Sequence, residues 1–514
     1  MRRNKAATAS AASAAKRSPL GHGAGTAQAD TTASWQLNPK VIASRWGWPG
    51  AGRGRAANLD RGAVYIGTTA QVGGLYPFVL GAGLPPEGVP IGPDMLTHEL
   101  VCFDPGGWVG KLTQNPGVWV MAQPGAGKSA FTKRVAIGYS AYGYKVVVPG
   151  DVKGEYAPIV QSLGGQVVRI GRGLDRLNPL DSGPLRPLLP TLPESRREPL
   201  LAEINGRRGE LLQALLATEV GLGRRPNATE SNVVTHAIRV VAEKRLGEDP
   251  VVPDVVQLLR DGSDVLWSRL MVDTEDDYRA HVREVTLALE NLCDGPLSGI
   301  FDGPTTTPVD LEAPALSVDL SALLTAGNNV VAAGLLATWA YAYSSIDSAR
   351  AVGMMDRPLV LPLDEMWRAL RAGAGMVDAM DAMTRLNRSK GEVTIFVTHS
   401  LRDPESLPTA EDRAKALGLM DRCDSLVLGA LSRGELERVS AQRPLTDAER
   451  ALVGSWSSPT ITGVDGTTQQ HRGRGKYLIK IGTRAGTPTR LELTETEKGL
   501  FDTDKAMRKG RNDR

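Results

Sequence analysis

Short apolar runs bounded by turn residues recur along this chain. Val118-Trp119-Val120-Met121, Leu316-Ser317-Val318-Asp319, Leu359-Val360-Leu361-Pro362-Leu363 and Val393-Thr394-Ile395-Phe396-Val397 each read as a strand. Further strand signals fall near 144–149, 166–171 and 425. Pro362 removes a ladder hydrogen bond, so a local irregularity is expected there. Between about 185 and 300 the pattern turns helical. Val233, Val234, Ala237, Ile238 and Val241 share one helix face, and Val255, Val256, Leu258 and Leu259 mark another helix with Pro253 near its start. The longest charge-free stretch, 320–346, holds Asn328, Asn329 and many small residues, so it lacks the unbroken apolar character of a membrane span. It predicts a buried crossover helix over about 329–345, which supports a parallel sheet covered on both faces. Late apolar runs at 477–481 and 489–493 read as a hairpin, and residues 62–112, from Ala63-Val64-Tyr65-Ile66 onward, as a β-rich lead-in.

The chemistry begins at the first of these strands. Ala122-Gln123-Pro124-Gly125-Ala126-Gly127-Lys128-Ser129 joins it to a helix-like run opened by Ala130. A strand, a glycine loop and a helix in that order form a nucleoside triphosphate site: loop N–H groups wrap the phosphates and the helix N-terminus favours their charge. Residues Ala122 to Ala130 are therefore assigned to nucleotide binding, with Lys128 on the β- and γ-phosphates and the Ser129 hydroxyl on Mg²⁺. Ala122 stands where a first glycine is usual, which bears on loop geometry.

The strand at 359–363 ends in Asp364-Glu365. Asp364 is assigned to the metal and Glu365 to the attacking water. The strand at 393–397 ends in Thr398-His399-Ser400, which puts His399 where a polar sensor could feel the γ-phosphate; a rim histidine bonded to backbone is the alternative. Arg388, and Arg385 before it, are candidates for an arginine acting on a neighbouring subunit's nucleotide, or are simply solvated.

These motifs resemble the type IV secretion and conjugation ATPases of the TraC and TraG type, in the HerA–FtsK superfamily of hexameric motors. The resemblance runs from about Pro90-Ile91-Gly92, through Asn115-Pro116 and the loop at Lys128, to roughly residue 495. It includes Gly150-Asp151-Val152-Lys153-Gly154-Glu155-Tyr156, Leu177-Asn178-Pro179-Leu180, the segment Leu297-Ser298-Gly299-Ile300-Phe301-Asp302-Gly303, and Asp364-Glu365-Met366-Trp367. Two departures are visible. His399 stands where the family usually has Gln, and about ninety residues precede the motor region where longer members carry a sizeable domain, expected here to be missing or supplied by another polypeptide.

The resemblance implies an α/β fold: a RecA-like P-loop NTPase core with a mostly parallel central sheet, an inserted all-helical subdomain and a short β-rich N-terminal lead-in. The expected division is a disordered basic tail at 1–61, the lead-in at 62–112, the core at 113–184 and 301–495, the helical insertion at 185–300, and a basic tail at 496–514. It also implies a homo-hexamer that hydrolyses ATP with Mg²⁺, and no other stable metal. Such a motor energises a secretion or conjugative DNA-transfer channel from the cytoplasmic side, peripherally attached to membrane subunits. DNA is a further candidate partner. A DNA-pumping coupling protein, or a nucleotide-gated assembly factor that scarcely hydrolyses, are the alternatives.

Composition adds little to this picture but does not conflict with it. The chain has 514 residues, enough for two or three ordinary domains, and its 3 cysteines have neither disulfide-framework nor metal-ligand spacing, which fits a reducing compartment. The formal net charge of +3 is unevenly spread: 1–61 carries +8 and 505–514 carries +4, on an acidic body. Basic tails suit an anionic partner, nucleic acid or membrane surface, and equally suit solvated tails. Trp46 and Trp48 among Arg45, Arg53 and Arg55 allow base stacking, a lipid interface or a small packed turn.

Overall fold

A computed structural model of the chain describes residues 83–245, 247–365, 368, 377, 390–405, 407, 409–457 and 472–501. The sequence features at Ala63-Val64-Tyr65-Ile66, Trp46 and Trp48, and the candidate arginines Arg385 and Arg388, lie outside them.

Parallel strands need crossovers that bury both faces, so they read as continuous apolar runs. That pattern governs the main sheet, built from β3 (Val118–Met121), β4 (Lys145–Asp151), β5 (Gln166–Arg169), β6 (Ala315–Asp319), β7 (Leu359–Leu363), β8 (Glu392–Thr398), β9 (Ser425–Leu428), β10 (Lys476–Ile481) and β11 (Thr487–Arg490). Every residue of β3, β4, β6, β7, β8 and β9 is buried. The order is β11-β10-β9-β3-β8-β7-β4-β6-β5, parallel from β9 to β5, with β10 and β11 antiparallel at one edge. Pro362 is tolerated because β7 pairs with β4 only at Leu359 and Val360, so the ladder on that side has ended before it, while pairing with β8 continues to Leu363.

Helix α1 (Lys128–Ala141) follows β3, and α2 (Ala157–Ser162) follows β4. The chain then leaves the sheet for a run of helices, α3 (Glu194–Leu216), α4 (Ala228–Lys244), α5 (Val252–Asp261), α6 (Asp264–Leu270) and α7 (Glu275–Asp294). The predicted face of α4 is its buried face, and an Asn227–Glu230 capping box starts that helix. Departure and return are clasped together by two of the sequence motifs: the Leu177 amide donates to the Ile300 carbonyl (3.0 Å) and the Asn178 amide to Thr305 Oγ1 (3.1 Å). The crossover helix α8 (Asn328–Ala351) joins β6 to β7 and is buried along most of its length. Among the described residues no helix is long and apolar enough to cross a membrane.

After β8 come α9 (Ala410–Asp421), then, past β9, α10 (Arg433–Gln442) and α11 (Asp447–Ser455). The short β1 (Val89–Pro93) and β2 (Leu100–Phe103) form the described part of the lead-in, tied to β11 by an Asp94–Thr489 bridge. Two expectations need correction. The second strand of the late hairpin is Thr487–Arg490, not 489–493, because the Leu491 amide turns to the Gly475 carbonyl (2.7 Å) and the Glu492 amide to the Ile91 carbonyl (3.1 Å). The C-terminal tail does not start at 496: α12 (Glu495–Phe501) packs on α1, with Glu497 paired to Arg134 and Phe501 buried.

Candidate active site

The loop after β3 is held from both ends. The Gln123 amide donates to the Ala430 carbonyl (2.8 Å), Ala126 donates to the Gln123 carbonyl (3.2 Å), and Gly475 donates to the Ala126 carbonyl (3.1 Å). Pro124 and Gly125 are exposed at its tip, while Ala122 and Ala126 are buried. Gly127 has φ 101, a left-handed conformation, and a Cβ there would meet the Tyr477 hydroxyl at 2.7 Å, so this position requires glycine twice over. That hydroxyl donates to the Gly127 carbonyl at 2.6 Å and ties the loop to β10.

Ala122 in place of glycine is explained by its neighbour. It is not among the left-handed residues, and across from it on the chain after β9 stands Gly429, whose added Cβ would lie 2.7 Å from the Ala122 Cβ. The methyl group fills room that Gly429 leaves. Gly429→Ala is therefore expected to destabilise the fold by about 1–3 kcal/mol, and Ala122→Gly in that background to recover most of it. Denaturant melts of both single variants and the pair check the coupling.

Lys128 opens α1 and is buried. Its Nζ donates to the carbonyls of Ala122 (2.7 Å) and Gln123 (3.2 Å) and lies 2.7 Å from His399 Nδ1. With an ammonium donating to Nδ1, the ring proton belongs on Nε2, which faces Glu365 Oε1 at 3.5 Å. His399, at the tip of β8, thus bridges Lys128 and Glu365. Burial lowers the Lys128 ammonium to about 8, against the opposing pull of Asp364 and Glu365.

One more strand away, β7 presents the two carboxylates. Ser129 Oγ donates to Asp364 Oδ2 at 3.1 Å, and the fully buried Tyr156 hydroxyl approaches the same oxygen at 3.4 Å. Burial, then the charge of Glu365, raises the Asp364 carboxyl above its ordinary value. Glu365 has the left-handed φ of 55, a conformation that costs a non-glycine residue about 1–3 kcal/mol. It is maintained by the Asp364 carboxylate accepting the Glu365 amide at 2.9 Å. Burial pushes the Glu365 carboxyl up, but hydrogen bonds from His399 and Lys153 and the charge of Lys153 outweigh it and hold the group well below the usual carboxylate range.

These groups line one cavity of about 700 Å³ at the C-terminal ends of β3, β8, β7 and β4, a size that suits a small ligand. Gly125, Gly127, Lys128, Ser129 and Ala130 form one side, and Asp364, Glu365 and His399 another. A hydroxyl and a carboxylate at hydrogen-bond distance beneath a phosphate-sized loop are the hard oxygen donors that Mg²⁺ takes alongside substrate phosphates, so Ser129 and Asp364 fit that ion. Sequence reasoning missed the rest of the wall. Lys153 and Glu155 arrive from the segment after β4, quoted above only for its resemblance, and Arg474, Arg490 and Lys498 arrive from the C-terminal hairpin and α12. The Gly-Arg-Gly-Lys run at 473–476 was the available signal for the first of these.

No protein-family model and no curated protein matches the chain. Among solved structures, VirB4 of Thermoanaerobacter pseudethanolicus superposes with a TM-score of 0.61 at 20% identity, covering 81% of this chain and 99% of that one. The plasmid coupling protein TrwB, in complex with ADP and Mg²⁺, superposes with a TM-score of 0.50 at 12% identity, covering 80% of this chain and 90% of that one. The chain therefore has a RecA-like P-loop NTPase fold, the fold of VirB4 and TrwB.

Proposed function

We propose that this chain is an ATP-hydrolysing motor that energises a type IV secretion or conjugative transfer apparatus. The observation that carries the reading is the convergence of Lys128, Ser129, Asp364, Glu365 and His399 on one cavity, from the end of β3 and from the ends of β7 and β8 far downstream. The likeness to VirB4 supports the choice of apparatus. The loop Ala122 to Ala130 binds the triphosphate with its amides, and Lys128 exchanges the carbonyls of Ala122 and Gln123 for phosphate oxygens. Ser129 and Asp364 hold Mg²⁺, which when bound neutralises phosphate charge. Glu365 orients and deprotonates the water, and His399 keeps Glu365 and Lys128 in register. An arginine of a neighbouring subunit in a homo-hexamer completes the site, and Arg388 is the proposed residue.

In this reading the ring sits on membrane subunits of the channel, at the cytoplasmic face. Purified protein is expected to hydrolyse ATP at a rate on the order of 1 per second or faster, and chelation of Mg²⁺ with EDTA should abolish that turnover. Phosphate release measured with and without EDTA checks this, and EDTA-insensitive turnover would remove Ser129 and Asp364 from metal binding. The likeness to TrwB supports a second reading, a coupling protein that pumps DNA. Severalfold stimulation of turnover by duplex DNA would favour it.

A further inference from the structure

One ion pair in the cavity has no part in the assignments above. Lys153 Nζ lies 2.5 Å from Glu365 Oε1; among the other described groups around that carboxylate, His399 Nε2 stands 3.5 Å from the same oxygen and Arg368 Nε 3.7 Å from Oε2. The backbone that carries Lys153 is built to be still. Asp151 accepts the amides of Glu155 (3.1 Å) and Tyr156 (2.7 Å), Gly154 turns the chain at φ 68, and the buried Lys133 braces Glu155 at 3.2 Å. From this fixed base a flexible four-carbon stem carries a compact ammonium with three donors to the cavity wall facing the phosphate loop. The Lys153 side chain is 45% exposed whereas Glu365 is 6% exposed, so the ammonium has open space to swing into while the carboxylate stays in the wall.

We propose that Lys153 is a positioning residue that exchanges between Glu365 and the γ-phosphate, latching the carboxylate until a triphosphate is in place. This rests on the ATPase reading. A carboxylate held by an ammonium is a poor base for water, and a γ-phosphate, with more charge and more acceptor oxygens than a carboxylate, takes the ammonium from it. Release of Glu365 is then coupled to the one group that distinguishes ATP from ADP. His399 and Arg368 remain on Glu365 and keep it aimed after Lys153 has left.

The test uses the full chain and four variants, Lys153→Met, Lys153→Arg, Glu365→Gln and the Lys153→Met/Glu365→Gln pair, with ADP and the slowly hydrolysed analogue ATPγS titrated by calorimetry and turnover measured alongside. Lys153→Met is expected to bind ADP within about twofold of wild type and ATPγS about tenfold more weakly, with turnover reduced by a similar factor or more. Lys153→Arg should recover part of the preference for ATPγS. Glu365→Gln removes the competing carboxylate and should tighten ATPγS severalfold when Lys153 is present and not in the Lys153→Met background. An unchanged ratio of ATPγS to ADP affinity in Lys153→Met, beside normal wild-type turnover, overturns the latch and leaves the ATPase reading standing. A wild-type chain that binds neither nucleotide overturns both.

Discussion

Glu365→Gln is expected to bind ATP at least as tightly as wild type while turnover falls by about a hundredfold or more. The amide is nearly isosteric with the carboxylate, and its carbonyl can still accept from His399 Nε2 and Lys153 Nζ, so the cavity keeps its shape. It cannot take a proton from water, and general-base catalysis is worth about 10²–10⁴-fold. The strained backbone of Glu365, with φ 55, also favours a short-range effect: Asp364 still accepts the amide of residue 365 whichever side chain that residue carries. Single-turnover hydrolysis beside equilibrium binding separates the two quantities. Turnover within a few fold of wild type would remove Glu365 from the chemistry, whatever its place in the cavity.

Lys128→Ala should abolish turnover and weaken triphosphate binding, yet leave the melting temperature nearly unchanged. Two opposing terms decide the stability. Burial lowers Lys128 from 10.5 to about 8, so holding its charge inside the fold costs on the order of 3 kcal/mol, a cost the alanine removes. Against it, the carbonyls of Ala122 and Gln123 and the Nδ1 of His399 lose their donor, at about 1–3 kcal/mol and chiefly at the buried Ala122 carbonyl, since the other two contacts are part-buried. The terms are of similar size. The sign also fixes a pH trend: a lysine whose folded value lies below its unfolded one binds its proton more readily when unfolded, so wild-type stability rises as pH climbs from about 8 towards 10, and Lys128→Ala should lose that rise. Thermal melts across that range, paired with ATPase assays, check both halves. A large loss of stability at neutral pH would show that Lys128 is structural.

Much of the site was legible because its parts are local. An apolar strand, a loop of small residues and a helix are neighbours in sequence, and glycine at 127 announces a backbone that other residues cannot adopt. Asp364-Glu365 was legible for the same reason: carboxylates directly after a buried strand sit at its tip. The α4 face and the crossover α8 followed from periodicity and from the absence of charge. The wall facing the loop was not legible. Lys153 and Glu155 reach the cavity only because β4 lies beside β7, and Arg474 and Arg490 only because β10 and β11 add antiparallel strands beyond β9. The first pairing joins Lys145 to Leu359, and the second places the hairpin only because β9 has already paired with β3, Ser425 against Val118.

What the amino-acid order determined by itself is which groups stand at each strand tip: a loop of small residues ending in Lys128 and Ser129, an adjacent pair of carboxylates, and a histidine. Local backbone sterics and the burial of apolar runs are enough for that. The tertiary structure alone decided who faces whom. Placing β8 between β3 and β7 put His399 between Lys128 and Glu365, and seating Ala122 against Gly429 made room for a methyl group where glycine is usual. Strand order is set by the packing of the whole sheet, to which any single segment contributes little, so no segment read alone carries it.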